Sequence, residues 1–110
     1  MIQATVRLVA PEGKRQEVLN VLLCLKGPIE ALAECRGCWI CQDVANDHAL
    51  TYLSQWDTQD DLESHVRSER FRRLLPYIEM SMEPPTVSFG IIEHIRGIEY
   101  LVEVLGATTA

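Results

Sequence analysis

The stretch WDTQDDLESHVRSERF, residues 56–71, decides the fold because it predicts where a strand ends and two helices begin. Thr58 is a favourable helix N-cap, since its hydroxyl can accept a hydrogen bond from a free backbone N–H in the first turn. Asp60 and Asp61 then place negative charge in that turn, where the helix dipole favours it. A helix is therefore expected from about residue 58, directly after a strand that ends at Trp56.

A second N-cap is predicted inside the same stretch. The inward stripe of the first helix contains Leu62, His65 and Val66, whereas Phe71 lies nine residues beyond Leu62. At about 100° per residue, Phe71 would point to the opposite side of one straight helix. Ser68 removes the conflict if it caps a new helix and the chain bends near residue 67. The inward face of the new helix is expected to contain Leu74, Leu75 and Ile78.

The residues that precede this stretch predict a strand, a helix and a hairpin. Alternating apolar residues over 2–8 indicate a strand with one buried face, which Pro11 and Gly13 end. Apolar residues then recur at helical spacing, and Gly27-Pro28 within them predicts one bent helix or two short ones. Gly37 is expected to end this helical segment. Two β-prone runs, residues 38–44 and 49–56, form a hairpin around the turn at 45–48. The apolar residues of the helical segment are Val18, Val21, Leu22, Leu25, Ile29 and Leu32.

The residues that follow predict a last strand and a tail. Val87, Phe89 and Ile91 alternate with small residues after Pro84-Pro85, which indicates a fourth strand. A short terminal helix is expected after Gly97, with Gly106 as its C-terminal cap.

The order of elements is β, α, β, β, α, β, which predicts an α+β, ferredoxin-like sandwich with an antiparallel sheet. The 110 residues fit one domain, with a core over residues 1–95 and a helical tail over 97–110. Helices on one face of the sheet leave its other face exposed. Because large apolar surfaces are rare on monomers, a face-to-face homodimer is expected.

Charge and cysteine usage limit the possible partners. The chain carries 16 acidic and 10 basic side chains, so its net charge of -6 argues against nucleic acid. The longest apolar run is too short for a membrane span, and no secretory leader is visible, which favours a cytoplasmic protein with reduced thiols. Cys35, Cys38 and Cys41 have a cluster-like C-x2-C-x2-C spacing, but a strand would project Cys38 and Cys41 to opposite faces. They are interpreted as small buried residues, with a metal or redox site as the alternative.

His65 is the candidate catalytic residue. A neutral imidazole on the apolar face of a short helix, beside a bend, could take a proton from a phenol or an activated C–H. The alternative is a core histidine that bonds a backbone carbonyl. Tyr52 and Ser54 share the side of their strand with Trp56 and could place hydroxyls in a pocket, while Trp56 is expected to anchor the core with its N–H bonded nearby.

The pattern W-x8-H-x2-S-x2-F, formed by Trp56, His65, Ser68 and Phe71, resembles the signature of the antibiotic biosynthesis monooxygenase (ABM) family. The resemblance implies dimeric α/β barrels with one pocket per subunit, and a family that includes cofactor-free oxygenases of phenols and quinols, haem degraders and isomerases. Haem degraders in the family use an Asn, a Trp and a His. Here strand one has no Asn, while His65 and Leu75 stand in place of the other two, so haem degradation is set aside.

The resemblance therefore implies a cofactor-independent monooxygenase that acts on a small aromatic phenol or quinol with dioxygen. No cofactor and no metal are expected, and the partners are a second copy of the chain and a small aromatic or quinone-like ligand. The alternative is a non-catalytic dimer that binds such a ligand. The expected site comprises His65 as the catalytic residue and four substrate-binding residues, Tyr52, Ser54, Trp56 and Phe71.

Overall fold

A computed structural model describes residues 1–109 of the chain, with side chains as far as residue 106. Four strands and five helices are present in this part of the chain. Their bounds are β1 (Ile2–Val9), α1 (Arg15–Glu30), β2 (Cys35–Gln42), β3 (Ala49–Trp56), α2 (Gln59–Val66), α3 (Glu69–Arg72), α4 (Leu75–Glu79), β4 (Thr86–Ile91) and α5 (Ile98–Thr109).

The four strands form one antiparallel sheet in the order β2-β3-β1-β4. Val6 of β1 lies opposite Tyr52 of β3 on one side and opposite Val87 of β4 on the other. Paired residues share a face of the sheet, so this register fixes which side chains point toward the helices. The predicted ferredoxin-like α+β fold is confirmed.

The core lies between one face of the sheet and the helices. Residues of β1 and β3 alternate as predicted, and every second side chain is buried. Helix α1 covers this face with a stripe at helical spacing. Side chains that are almost fully buried include Val6, Leu8, Val18, Leu22, Leu25, Leu50, Tyr52, Trp56 and Leu74.

Both predicted N-caps are confirmed. Thr58 has an extended backbone, and its Oγ1 accepts a hydrogen bond from the N–H of Asp61 at 3.2 Å. Ser68 is also extended, and its Oγ accepts from the N–H of Phe71 at 3.2 Å. Because the chain restarts its helical rotation at Ser68, Leu62 and Phe71 are both buried.

Replacing Ser68 with alanine is expected to lower the free energy of unfolding by about 1 kcal/mol, because the N–H of Phe71 loses its acceptor. Urea unfolding of the two proteins would measure the difference. Ser68→Asp is the matched control, since an aspartate also caps a helix and should keep most of the stability. Equal losses in the two variants would mean that the cap does not hold the bend.

Of the two forms expected for the helical segment, one helix is found rather than two, and α1 runs without a break through Pro28, because a proline near the end of a helix removes only one late hydrogen bond. Two other expectations about this region are wrong. Leu32 lies beyond the helix and is exposed. Strand β2 begins at Cys35 rather than residue 38, so Gly37 lies within the strand and does not end the helix. A Cβ at Gly37 would overlap the ring of Trp39, which explains the glycine at that position.

Two expectations about the second half of the chain are also wrong. Leu75 is exposed, because the helical segment is broken between α3 and α4, whereas Leu74 is buried and Ile78 packs against the core as expected. Helix α5 continues past Gly106 to Thr109, so Gly106 is not its cap. Of the helices in residues 1–109, none has the length and apolar character needed to span a membrane.

Candidate functional site

The imidazole of His65 is enclosed by aromatic rings. It stacks on Trp56 with ring centroids 4.6 Å apart, and Phe71 meets it edge-on at 5.2 Å. Tyr52 lies on a third side at 6.1 Å. Only 6% of the residue remains exposed to solvent. The bend at Ser68 makes this arrangement possible, because it brings Phe71 to the same side as His65.

The polar atoms of this cluster are hydrogen-bonded to one another. Oη of Tyr52 lies 3.0 Å from Nε2 of His65, in a hydrogen bond whose proton either atom can carry. Nε1 of Trp56 donates to Oγ of Ser54 at 3.0 Å, which confirms the expectation that the indole N–H is bonded nearby. Among the described side chains, no buried nitrogen or oxygen atom is left without a partner. The partner found for Nε2 of His65 is the Tyr52 hydroxyl, where the alternative interpretation expected a backbone carbonyl.

Burial keeps the cluster uncharged at neutral pH. Desolvation lowers the pKa of His65 from its ordinary 6.5 to about 4, so the ring is neutral at pH 7. Burial, and secondarily the nearby Cys38 thiol, raises the pKa of Tyr52 well above its usual range. Burial also raises the pKa of Cys38 to about 11. Tyr52 is thus a hydroxyl, Cys38 a thiol and His65 a neutral imidazole.

The structure brings all five candidate residues together. His65 of α2 contacts Tyr52 and Trp56 of β3 and Phe71 of α3, while Ser54 is bonded to Trp56. All five are buried. Their assigned roles in catalysis and substrate binding stay predictions.

A cavity of about 560 Å³ lies on the other side of α2, between that helix and β4. Its walls are mainly apolar, and Leu62 belongs both to this cavity and to the core. None of the five candidate residues is among its lining in the described part of the chain. The lining consists of Ile2, Gln59, Leu62, Glu63, Val66, Arg67, Phe89, Gly90 and Ile91.

The residues of β4 that line this cavity were missed from the sequence. Phe89 and Ile91 lie opposite Ala4 and Ile2, and so point toward the helix side of the sheet, yet both are exposed. The alternation of Val87, Phe89 and Ile91 predicted the strand, but it does not show which helix packs on that strand or how much of it stays uncovered. No local signal in the sequence therefore identified these residues as part of a cavity.

A second cavity, of about 260 Å³, lies between α1 and α3. Val21 and Leu25 form its apolar floor, and Arg70 and Arg73 lie at its rim. Its wall also contains the free thiol of Cys24.

The three cysteines of the C-x2-C-x2-C motif do not converge. Cys38 is buried on the helix side of β2, Cys41 is exposed, and Cys35 is half-buried with its thiol bonded to the carbonyl of Gly37. Among the side chains that the structure describes, no group of three or more His, Cys, Asp or Glu residues could hold a metal ion.

The sheet order, the helices on one face and the pair of capped helices define a small ferredoxin-like α+β protein. The chain belongs to the antibiotic biosynthesis monooxygenase family, whose model matches residues 1–76. No curated protein matches the chain.

Solved structures agree with this assignment of the fold. A conserved protein from Methanosarcina mazei has a TM-score of 0.74 and 22% identity, covering 84% of this chain and 92% of that one. Rv0793 from Mycobacterium tuberculosis has a TM-score of 0.76 and 14% identity, covering 87% of this chain and 98% of that one. A structure described as an antibiotic biosynthesis monooxygenase has a TM-score of 0.74 and 17% identity, covering 86% of this chain and 100% of that one. At these identities the likeness concerns the fold alone.

Proposed function

We propose that the protein is a cytoplasmic, homodimeric, cofactor-independent monooxygenase that oxidises a small aromatic phenol or quinol. Family membership supports the reaction class. The observation that carries the proposal is the placement of an apolar cavity and a neutral His65–Tyr52 pair on opposite sides of the same helix. Four free cysteines, two of them exposed, suit a reducing compartment such as the cytoplasm.

The reaction needs no external reductant. A phenol and dioxygen give a quinone and water, so one oxygen atom enters the product ring and the other leaves as water. The substrate supplies all four electrons, which is why it must be electron-rich and must first lose a proton. The protein has to bind the ring, exclude water and hold that proton.

His65 is the proposed acceptor of this proton, acting through Tyr52. If the ring proton of His65 lies on Nδ1, then Nε2 accepts from the Tyr52 hydroxyl, which can in turn accept from the substrate. A phenol of ordinary pKa near 10 and an imidazole of pKa about 4 differ by about 6 units, or about 8 kcal/mol. A turnover of about 10 per second allows a barrier of about 16 kcal/mol, so this transfer fits within it.

The proposed roles of the other candidates follow from their positions. Trp56 and Phe71 hold the imidazole ring from two sides, and Ser54 fixes the indole of Trp56. In the proposal, Leu62 separates the pair from the cavity, and a bound ring reaches Tyr52 by displacing Leu62. The substrate-binding roles of Tyr52, Trp56 and Phe71 therefore depend on movement of α2.

A second candidate function is a non-catalytic dimer that binds a small quinone-like ligand in the same cavity. One observation favours it: Nε2 of His65 is already bonded, and the ring is held on two further sides. Such an imidazole is as well suited to stabilising the bend as to proton transfer.

Oxygen consumption separates the two functions. Thermal-shift screening against phenols and quinols would find ligands, and an oxygen electrode would then test each ligand for uptake. Monooxygenation predicts one O₂ consumed per quinone formed and one ¹⁸O atom per product from ¹⁸O₂. Binding without uptake would support the second function, and the absence of any ligand would contradict both.

Replacing Val66 with tryptophan is expected to weaken ligand binding at least about tenfold, because the indole occupies the cavity between α2 and β4. Titration calorimetry with the best screened ligand would measure the change. Val21→Trp is the matched control, since Val21 is also half-buried and lines the second cavity. Loss of binding in Val21→Trp alone would move the ligand site to the cavity between α1 and α3.

A further inference from the structure

The cavity between α1 and α3 combines an apolar floor with a positively charged rim. Val21 and Leu25 form the floor, and Leu25 is almost fully buried. The volume of about 260 Å³ equals the space that about nine water molecules occupy in the liquid. A ligand of about ten non-hydrogen atoms, such as a ring with one substituent, therefore fits this space.

Two arginines line the rim side by side. Arg70 lies in α3, and Arg73 follows directly after that helix with a helical backbone. Side chains three residues apart on a helix are neighbours, and two like charges at this spacing repel each other. An anion placed between the two guanidinium groups would replace this repulsion with two charge-assisted hydrogen bonds.

The protein does not fully neutralise the positive charge of the rim. Arg73 is paired with Glu69 at 3.5 Å, but both side chains are mostly exposed, which makes this a weak pair. Among the side chains that the structure describes, no carboxylate lies within 4.0 Å of the Arg70 guanidinium. The acidic residue of the lining, Glu17, is paired with Lys14 at 3.5 Å. Arg70 is therefore available to an external anion.

The α1 wall supplies a further hydrogen-bond donor. The amide oxygen of Asn20 accepts a hydrogen bond from Gln16 at 2.9 Å, which leaves the NH₂ group of Asn20 available. A carboxylate has two oxygens that accept several hydrogen bonds, so it suits donors that come from more than one side. Donors thus lie on both walls of the cavity, with apolar surface between them.

We propose that the cavity between α1 and α3 binds a small organic carboxylate with an apolar body, and that Arg70 is its principal anchor. The carboxylate lies at the rim beside Arg70, Arg73 and Asn20, and the apolar body covers Val21 and Leu25. A planar guanidinium can donate two parallel hydrogen bonds to a carboxylate. An inorganic anion would leave the apolar floor uncovered, and a neutral ring would leave Arg70 unpaired, so the ligand needs both parts.

The charge of this site differs from that of the larger cavity between α2 and β4. The two charged residues that line the larger cavity, Glu63 and Arg67, are paired with each other at 3.4 Å, so their charges balance. In the smaller cavity Arg70 has no such partner among the described side chains. The net charge of -6 repels polyanions, which favours a small monoanion over a charged polymer as the occupant.

Alkylation of Cys24 tests this binding, because its exposed thiol lies in the cavity wall. The full chain is treated with iodoacetamide, a neutral reagent, in benzoate, benzamide or acetate at matched ionic strength, and peptide mass spectrometry gives each rate. Benzoate should slow the alkylation of Cys24, whereas Cys41, exposed in β2, should react at an unchanged rate. Benzamide lacks the charge and acetate lacks the ring, so the dissociation constant of each should be at least about tenfold higher.

Two arginine variants with the same change of charge locate the anchor. Arg70→Gln should raise the dissociation constant of benzoate at least about tenfold. Arg72→Gln should leave it within about twofold, because Arg72 lies in the same helix but outside the lining, where solvent and salt screen its charge. Both side chains are exposed, so the fold should survive, and circular dichroism would confirm it.

Three results would each overturn the proposal. They are the absence of protection of Cys24 by benzoate in the wild-type protein, equal protection by benzamide or acetate, and equal effects of Arg70→Gln and Arg72→Gln. The first two need no variant, so they hold even if a substitution disturbs folding. The readout is ligand binding alone, which makes the result independent of the proposed oxygenase reaction.

Discussion

Replacing His65 with glutamine is expected to lower kcat for oxygenation of a phenol or quinol about 100- to 10,000-fold, the usual contribution of general acid–base catalysis. The amide oxygen of glutamine can still accept the Tyr52 hydroxyl proton in a hydrogen bond. It cannot take that proton fully. The variant therefore keeps the contact that stabilises the cluster and loses the step that the proposal assigns to His65.

Oxygen-electrode rates at saturating substrate would measure kcat, and thermal melting would verify that the variant is folded. His94→Gln is the matched control, since His94 is exposed and lies outside both cavities and the aromatic cluster. The pH profile adds a second readout. Wild-type kcat should fall on acidification toward pH 4, where His65 becomes protonated. The residual activity of the variant should not show this decrease.

Unchanged turnover in His65→Gln would show that the imidazole is not the base. The proton would then leave to solvent or to another group, and His65 would be a structural residue of the bend. If oxygen uptake is absent from the wild-type protein as well, the same variant becomes a test of ligand binding, where little change is expected.

Local chemistry explains which parts of the fold could be predicted from the sequence. Thr58 and Ser68 each need only a free N–H three residues later, so their caps depend on nearby residues and were predicted correctly. Gly37 was misread because a glycine is compatible with several local structures. At Gly37 the deciding contact is the ring of Trp39, and a propensity rule for glycine does not include it.

In the site, too, features set by nearby residues could be predicted and features set by distant contacts could not. The alternation of β3 correctly placed Tyr52, Ser54 and Trp56 on one buried side. The hydrogen bond from Tyr52 to His65 joins residues 13 apart on different elements, and only the packing of α2 against β3 determines it. The resemblance implied a pocket, but the lining of the cavity could not be predicted, because its walls come from β1, α2 and β4 and its size depends on how far apart they lie.

Acidification from pH 7 to pH 4 is expected to destabilise the wild-type protein by about 3 kcal/mol more than His65→Gln. The folded pKa of His65 is lowered to about 4, while the unfolded chain has the ordinary value of 6.5. Between these values the unfolded state binds a proton that the folded state does not, so stability falls as pH falls. The stability that His65 contributes by staying neutral is fully present above pH 6.5. About 2 kcal/mol of the free energy of unfolding is lost at pH 5, and about 3 kcal/mol at pH 4.

Urea unfolding at pH 7, 6, 5 and 4, followed by tryptophan fluorescence, would give the free energies of unfolding. Carboxylates also titrate at the acid end of this range, so the informative quantity is the difference between wild type and variant at each pH. His94→Gln should retain the wild-type pH dependence, because His94 is exposed.

A difference that does not change with pH would mean that His65 titrates alike in the folded and unfolded chain. Such an imidazole would have to be hydrated, which is incompatible with a ring stacked on Trp56 and 6% exposed. A large difference has a consequence for the reaction as well. The same desolvation that lowers the pKa makes His65 a costly proton acceptor, so a ligand that makes the cluster more apolar would slow the transfer, and one that brings a negative charge beside the ring would favour it.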